Sequence, residues 1–132
     1  MPRSRRTEGL RVLVVDDHGP MRQVARRIIA GLPYVGTVVE SGSGEDALDR
    51  FDELRPDVVV MDAAMGGMSG IDATAQLHAS HPGLPIIGWT AVDDYTVHRE
   101  FREAGAIAVV TKDNLAQLRS LITRIATGGS RS

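Results

Sequence analysis

Five short apolar runs rich in β-branched residues constrain the fold of this chain more than any other feature. They read LRVLVVD, VGTVVE, DVVVMD, PIIGWT and AIAVVT, and segments of helix length separate them. Each run is too short for a typical helix and has the length and composition of a strand. Strands that alternate with helices in this way predict an α/β fold with a parallel sheet.

The segments between these runs have amphipathic patterns with start and stop signals. In the first, apolar residues recur at helical spacing between Pro20 and Gly31, which suit a first turn and a stop. In the second, Ser43 and Asp46 resemble a capping box, and Pro56 ends the helix. Right-handed crossovers place helices on both faces of the sheet. We therefore predict a single doubly wound five-stranded parallel sheet flanked by five helices.

Composition narrows the functional classes. A chain of 132 residues with 42% hydrophobic residues suits one domain with a core, and a net charge of −2 provides no basic field for nucleic acid. The absence of cysteine excludes disulfides and thiolate metal sites. No run has the length of a membrane span and no secretory core is present, so we expect a cytoplasmic protein. We predict a flexible leader at 1–9, the domain at 10–126 and a linker stub or tail at 127–132.

Polar residues follow the predicted strands where the strands end. Asp16 and Asp17 follow the first, Asp62 the third, Thr90 the fourth and Lys112, the only lysine, the fifth. The carboxyl ends of parallel strands share one edge, where ligands bind. Three carboxylates at that edge repel one another unless a proton or a bound cation reduces their charge. With oxygen ligands only, Mg²⁺ is the cation that we expect first. Carboxylate, cation, hydroxyl and ammonium together describe phosphoryl transfer to an aspartate.

Each of these residues also has a purely structural interpretation. Asp16 or Asp17 would cap the helix that begins near Pro20, and Asp62 would be a turn residue. Thr90 would be an ordinary threonine at a strand end, and Lys112 a solvated lysine near a helix start. Their joint placement at one edge favours the functional interpretation, because four independent accidents would otherwise coincide.

The sequence resembles the receiver domain of two-component response regulators from Leu10 to Ile125. The resemblance rests on VLVVDD, SGEDAL, DVVVMD, MGGMSG, IIGWTA and AGAIAVVTKD, in the family's order and spacing. It implies the flavodoxin-like strand order 2-1-3-4-5, in which ligands bind at the carboxyl ends of the strands. That order places the first and third strands side by side and brings Asp17 close to Asp62.

The resemblance also implies a role for each residue of the edge. Asp62 would accept a phosphoryl group from the phosphohistidine of a sensor histidine kinase. Thr90 would donate a hydrogen bond to the phosphoryl oxygen and Lys112 would pair with the same group. Mg²⁺ would be bound by Asp17, Asp62 and the backbone carbonyl of Ala64, with Asp16 acting largely through water.

The chain departs from the family pattern at three positions that concern the response to phosphorylation and not the acceptor chemistry. Gly66 replaces the common proline in the loop after the acceptor, so we expect a freer loop. Val109 stands where the family has a mobile aromatic residue, so a Tyr or Phe rotamer switch cannot operate. Asp113 follows Lys112 in place of the common proline. Activation is expected as a population shift on the face formed by the fourth helix, the fifth strand and the fifth helix, where Tyr95 is a candidate for partner contacts or homodimerisation.

Three other functions compete with a phosphorylated receiver. A flavin binder would need a phosphate loop rich in Ser, Thr and Gly where this chain has DDHGPM. A haloacid dehalogenase type of phosphatase would need a second acid where this chain has Ala64. A pseudo-receiver would act by phosphorylation-independent protein contact alone. We expect no enzyme beyond self-phosphorylation and dephosphorylation. A DNA-binding output domain is not in this chain, and the sequence leaves open whether one follows Ser132 in a longer parent protein.

Overall fold

A computed structural model describes residues 9–128, in which strands and helices alternate. The strands are β1 (Leu10–Val15), β2 (Val35–Ser41), β3 (Val58–Asp62), β4 (Ile86–Thr90) and β5 (Ala108–Thr111). The helices are α1 (Gly19–Ala30), α2 (Gly44–Asp49), α3 (Phe51–Leu54), α4 (Gly70–Ser80), α5 (Tyr95–Ala104) and α6 (Leu115–Thr127). The predicted leader and tail lie outside the described residues, apart from Gly9, Thr127 and Gly128.

All neighbouring strands are parallel, and their order is β2-β1-β3-β4-β5. This confirms the predicted fold class and strand order. Every residue of β3 and β4 is buried, as continuous apolar runs predict for strands that are covered on both faces. The more polar β2 lies at one edge of the sheet, as expected, and only Ser41 in it is buried.

Two apolar layers hold the helices against the sheet. On one face, α1 and α6 pack through side chains such as Ile29 and Leu118, and Trp89 lies in this layer. On the other face, α2 to α5 pack through side chains that include Leu77 and Phe101. Full burial of each large apolar side chain contributes about 1.5–3 kcal/mol, so these layers fix the positions of the strand ends.

The second predicted helix is interrupted, so the described residues contain six helices rather than five. Arg50 separates α2 from α3 with φ −99° and ψ 9°. Its guanidinium donates to both carboxylate oxygens of Asp46, at 2.9 and 2.7 Å, and to the carbonyl oxygen of Glu40 at 3.1 Å. These bonds tie the end of α2 to β2. Ser43 caps α2 as predicted, but the Asp46 carboxylate bonds Arg50 and Ser41, so the capping box is only half formed.

The cap of α1 corrects another sequence interpretation. His18 is the N-cap residue, and its Nδ1 accepts a hydrogen bond from the backbone N–H of Met21. Neither Asp16 nor Asp17 caps this helix, so both carboxylates face other partners. Pro20 stands in the first turn of α1, as predicted. Within residues 9–128, no helix combines the length and apolar character that crossing a bilayer requires.

Candidate functional site

Three carboxylates meet at the edge where the strands end. Asp16 and Asp17 follow β1, and Asp62 is the last residue of β3, the strand that pairs with β1. One oxygen atom from each carboxylate lies within 4.8 Å of the other two. Asp16 and Asp62 are buried, whereas Asp17 is exposed. The structure therefore brings together the three acids that the sequence predicted to converge.

Lys112 supplies the cation of this cluster. Its backbone N–H donates to the carbonyl of Thr90, which fixes the chain at the end of β5. Its Nζ lies 2.8 Å from Oδ2 of Asp16 and 3.1 Å from Oδ1 of Asp62. Burial lowers the pKa of Lys112, but the hydrogen bonds to Asp16 and Asp62 outweigh it and leave that pKa above its ordinary value. The ammonium therefore stays charged between two buried carboxylates.

The electrostatics of Asp62 suit a reactive carboxylate. Burial raises its pKa, the hydrogen bond from Lys112 opposes that rise, and the nearby charges of Asp16 and Asp17 add to it. The resulting pKa is about 6. At neutral pH Asp62 is therefore mainly ionised, although it sits in surroundings that disfavour the charge.

The donor set of the cluster fits a hard divalent cation. Its oxygens come from Asp16, Asp17 and Asp62, and three negative charges face the single positive charge of Lys112. Carboxylate oxygens without sulfur or imidazole are the ligands that Mg²⁺ prefers. Ala64 lies in the exposed loop that follows β3, and its carbonyl as a ligand stays a prediction.

Thr90 lies at the same edge but has other partners. It is buried at the end of β4. Its hydroxyl donates to the carbonyl of Val92 and accepts from the N–H of Val92, both at 3.2 Å. The hydroxyl is thus tied to the loop before α5, and a hydrogen bond from Thr90 to a phosphoryl oxygen requires it to leave Val92.

The loop between β3 and α4 is held by two carboxylates, one from the loop after β1 and one from the first turn of α2. The N–H of Gly66 donates to Oδ2 of Asp17 at 3.0 Å, and the N–H of Met68 donates to Oε2 of Glu45 at 3.0 Å. A proline at Gly66 would have no N–H for the first of these bonds. The loop therefore contacts the acidic cluster directly, while the expectation that it is freer than in the family stays a prediction.

Two residues of the site were not identified from the sequence. Gly70, the first residue of α4, lies so close to the backbone of Asp62 that an added Cβ would overlap its carbonyl oxygen. Trp89 donates from its indole Nε1 to Oδ2 of Asp16 at 3.3 Å. A glycine that opens a helix shortly after the acidic residue, and a lone tryptophan in a buried strand, are the signals that point to them.

The fold and this geometry agree with the comparison to known proteins. The sequence matches the response regulator receiver domain over residues 12–125. The chain belongs to this receiver domain family. The identification confirms the resemblance on which the expected roles of Asp62, Thr90 and Lys112 depend.

Similar proteins include complete response regulators and isolated receivers. The receiver is 36% identical over 120 residues to the response regulator GacA of Pseudomonas viridiflava, covering 90% of this chain and 56% of that protein. It is 37% identical over 106 residues to the chemotaxis protein CheY of Thermotoga maritima, covering 79% of this chain and 86% of that protein. The signal receiver domain of the response regulator NarL from Mycobacterium tuberculosis superposes with a TM-score of 0.82 at 26% identity, covering 92% of this chain and 98% of that one. The chain spans about half the length of the GacA proteins that it matches.

Proposed function

We propose that this receiver accepts a phosphoryl group on Asp62 from the phosphohistidine of a sensor histidine kinase in a Mg²⁺-dependent reaction. One observation carries the proposal. Lys112 Nζ bridges two buried carboxylates, at 2.8 Å from Asp16 and 3.1 Å from Asp62, inside a cluster of three acids. A structural salt bridge needs one acid for one lysine, whereas this cluster keeps an excess of negative charge that a divalent cation and a phosphoryl group would use.

The residues of the cluster divide the chemistry among them. An oxygen of the Asp62 carboxylate attacks phosphorus, the P–N bond to the kinase imidazole breaks, and the leaving nitrogen keeps the electron pair and is protonated. A pKa of about 6 keeps the attacking carboxylate ionised at neutral pH. Lys112, already 3.1 Å from Asp62, pairs with the incoming phosphoryl oxygens, and the Thr90 hydroxyl turns from Val92 to donate to them.

We assign the metal ligands from the cluster and from the family pattern. Asp17 and Asp62 would hold Mg²⁺ directly, together with the carbonyl of Ala64. Asp16 acts through water, because its carboxylate already accepts hydrogen bonds from His18, Trp89 and Lys112. A bound Mg²⁺ would neutralise charge on the phosphoryl oxygens and on the acids. Apart from its own phosphorylation and dephosphorylation, we propose no catalytic activity for the chain.

Phosphorylation is read out on the face of α5, β5 and α6, which are the fourth predicted helix, the fifth strand and the fifth predicted helix. Thr90 links the site to this face, because its hydroxyl holds the loop that leads into α5. Tyr95 is 77% exposed on α5 and is available to a partner or to a second copy of the chain, whereas Val109 is buried. We propose that the protein acts in the cytoplasm, as the receiver part of a longer DNA-binding regulator.

Intact-mass spectrometry tests this function. The purified chain is incubated with acetyl phosphate and Mg²⁺, and Asp62→Asn and a metal-free sample are treated in parallel. We expect one phosphoryl adduct in the parent protein and none in either control. An unmodified parent that also binds no Mg²⁺ in calorimetry would refute the proposal and favour a pseudo-receiver that acts by protein contact alone. An adduct that persists in Asp62→Asn would refute the assignment of the acceptor.

A further inference from the structure

The only tryptophan and the only lysine of the chain converge on one carboxylate. Asp16 is fully buried. Its Oδ2 accepts from Nε1 of Trp89 at 3.3 Å and from Nζ of Lys112 at 2.8 Å, and its Oδ1 accepts from the N–H of His18 at 2.9 Å. Both lone pairs of Oδ2 are therefore used, one by the Lys112 ammonium and one by the indole of a core residue.

The indole of Trp89 is a rigid donor. Trp89 has no exposed surface, and its ring packs in the layer between the sheet, α1 and α6. Its backbone carbonyl accepts from the N–H of Ala63, the residue after Asp62, while its indole donates to the carboxylate of Asp16, so Trp89 contacts both strand ends that carry the acids. A purely apolar residue would fill the same space without a donor. The N–H at the polar edge of the ring therefore has the role of a hydrogen-bond donor to Asp16.

We propose that Trp89 is a positioning residue of the phosphorylation site. Its indole N–H holds the buried Asp16 carboxylate in one orientation, and Asp16 in turn sets where Lys112 and the divalent cation are held. This inference rests on the proposed function and adds to it a residue that contacts neither the metal nor the phosphoryl group.

The geometry of Lys112 shows why the donor matters. Its Nζ is shared between Asp16 and Asp62, which lie 2.8 and 3.1 Å away. Without the indole N–H, Lys112 is the remaining donor to Oδ2 of Asp16, and the carboxylate both turns more freely and draws the ammonium away from Asp62. Loss of such outer-shell hydrogen bonds typically weakens metal binding or activity by about 10–100-fold.

Benzothienylalanine tests the inference without opening a cavity. This tryptophan analogue has sulfur in place of the indole N–H, and global incorporation changes this one position because the chain has one tryptophan. Calorimetry measures Mg²⁺ affinity, and intact mass follows the rate of phosphorylation by acetyl phosphate at saturating Mg²⁺. We expect affinity about tenfold weaker and a slower rate that excess Mg²⁺ does not restore. Affinity and rate equal to those of the parent would overturn the inference, because a space-filling ring keeps both.

A spectroscopic readout separates this inference from the proposed function. The parent has a single indole N–H resonance, which we expect to move in Asp16→Asn and on titration with Mg²⁺. A resonance that stays fixed in Asp16→Asn would overturn the inference, whatever the protein does with acetyl phosphate. A parent that forms no adduct and binds no Mg²⁺ would overturn the proposed function and this inference with it. A parent that does both, with an analogue protein that does both equally well, would overturn the role of Trp89 alone.

Discussion

Replacing Asp62 by asparagine should stabilise the fold at neutral pH, although it removes the residue on which the function depends. Burial and two neighbouring acids raise the pKa of Asp62 from 3.8 to about 6, against the opposing effect of Lys112. The folded state therefore holds a proton on Asp62 more tightly than the unfolded chain does. Asparagine has the shape of the protonated acid and carries no charge, so it avoids the cost of a buried carboxylate.

The size of the effect follows from the pKa. Each pKa unit corresponds to about 1.4 kcal/mol, so the rise from 3.8 to about 6 corresponds to about 3 kcal/mol. This contribution to stability is complete below about pH 4, where Asp62 is protonated in both states. It is lost as the pH rises through about 6, where the folded protein must release the proton. Asp62→Asn should thus exceed the parent by up to about 3 kcal/mol at pH 8 and by little at pH 4.

Urea unfolding at a series of pH values without divalent metal tests this difference. Circular dichroism is the suitable signal because it does not depend on the tryptophan beside the site. The exposed Asp49, replaced by asparagine, is the matched control and should show no such dependence on pH. Saturating Mg²⁺ should stabilise the parent more than Asp62→Asn and narrow the gap. Equal stability of parent and Asp62→Asn at pH 8, or an equal difference at pH 4 and pH 8, would refute the reasoning.

Three further variants test the packing and the charges around the site. Gly88→Ala places a Cβ 2.8 Å from the ring of Phe101, so urea unfolding should show a free energy of unfolding about 1–3 kcal/mol lower. The control Gly83→Ala meets open space, so its free energy of unfolding should change little. Gly70→Ala forces a Cβ into the carbonyl of Asp62, so intact mass should show much less phosphoryl adduct; an unchanged yield would contradict the contact. Lys112→Gln removes a group that lowers the pKa of Asp62, so carboxyl titration followed by ¹³C NMR should move above about 6, and an unchanged titration would contradict the pairing.

The sheet and its acidic edge were predictable because they depend on periodicity and chain direction. Parallel strands place their carboxyl ends at one edge, so residues that end separate runs meet there whatever the details of packing. This holds for Lys112, Asp16 and Asp62, because the ammonium of Lys112 lies within hydrogen-bonding distance of both carboxylates. The strand order itself was available only through resemblance to the family, since the pattern of apolar runs does not specify which strands are neighbours.

The details that were missed depend on side-chain contacts that cross from one element to another. Arg50, which separates α2 from α3, bonds the carbonyl of Glu40 in β2, and no local propensity reveals that contact. Trp89 looks like a core residue in sequence, and it is one; the direction of its N–H towards Asp16 depends on how β4 and β1 are packed. Such contacts require the three-dimensional structure.

Chemical trapping of the modified residue tests the central claim most directly. Borohydride reduces an aspartyl phosphate to homoserine, so peptide mass spectrometry of the reduced protein reports which side chain carried the phosphoryl group. After treatment with acetyl phosphate and Mg²⁺, we predict homoserine at Asp62 and at no other aspartate, and none in protein treated without the metal. Homoserine at Asp16 or Asp17, or its absence from a protein that carries a phosphoryl adduct, would contradict the assignment of Asp62 as the acceptor.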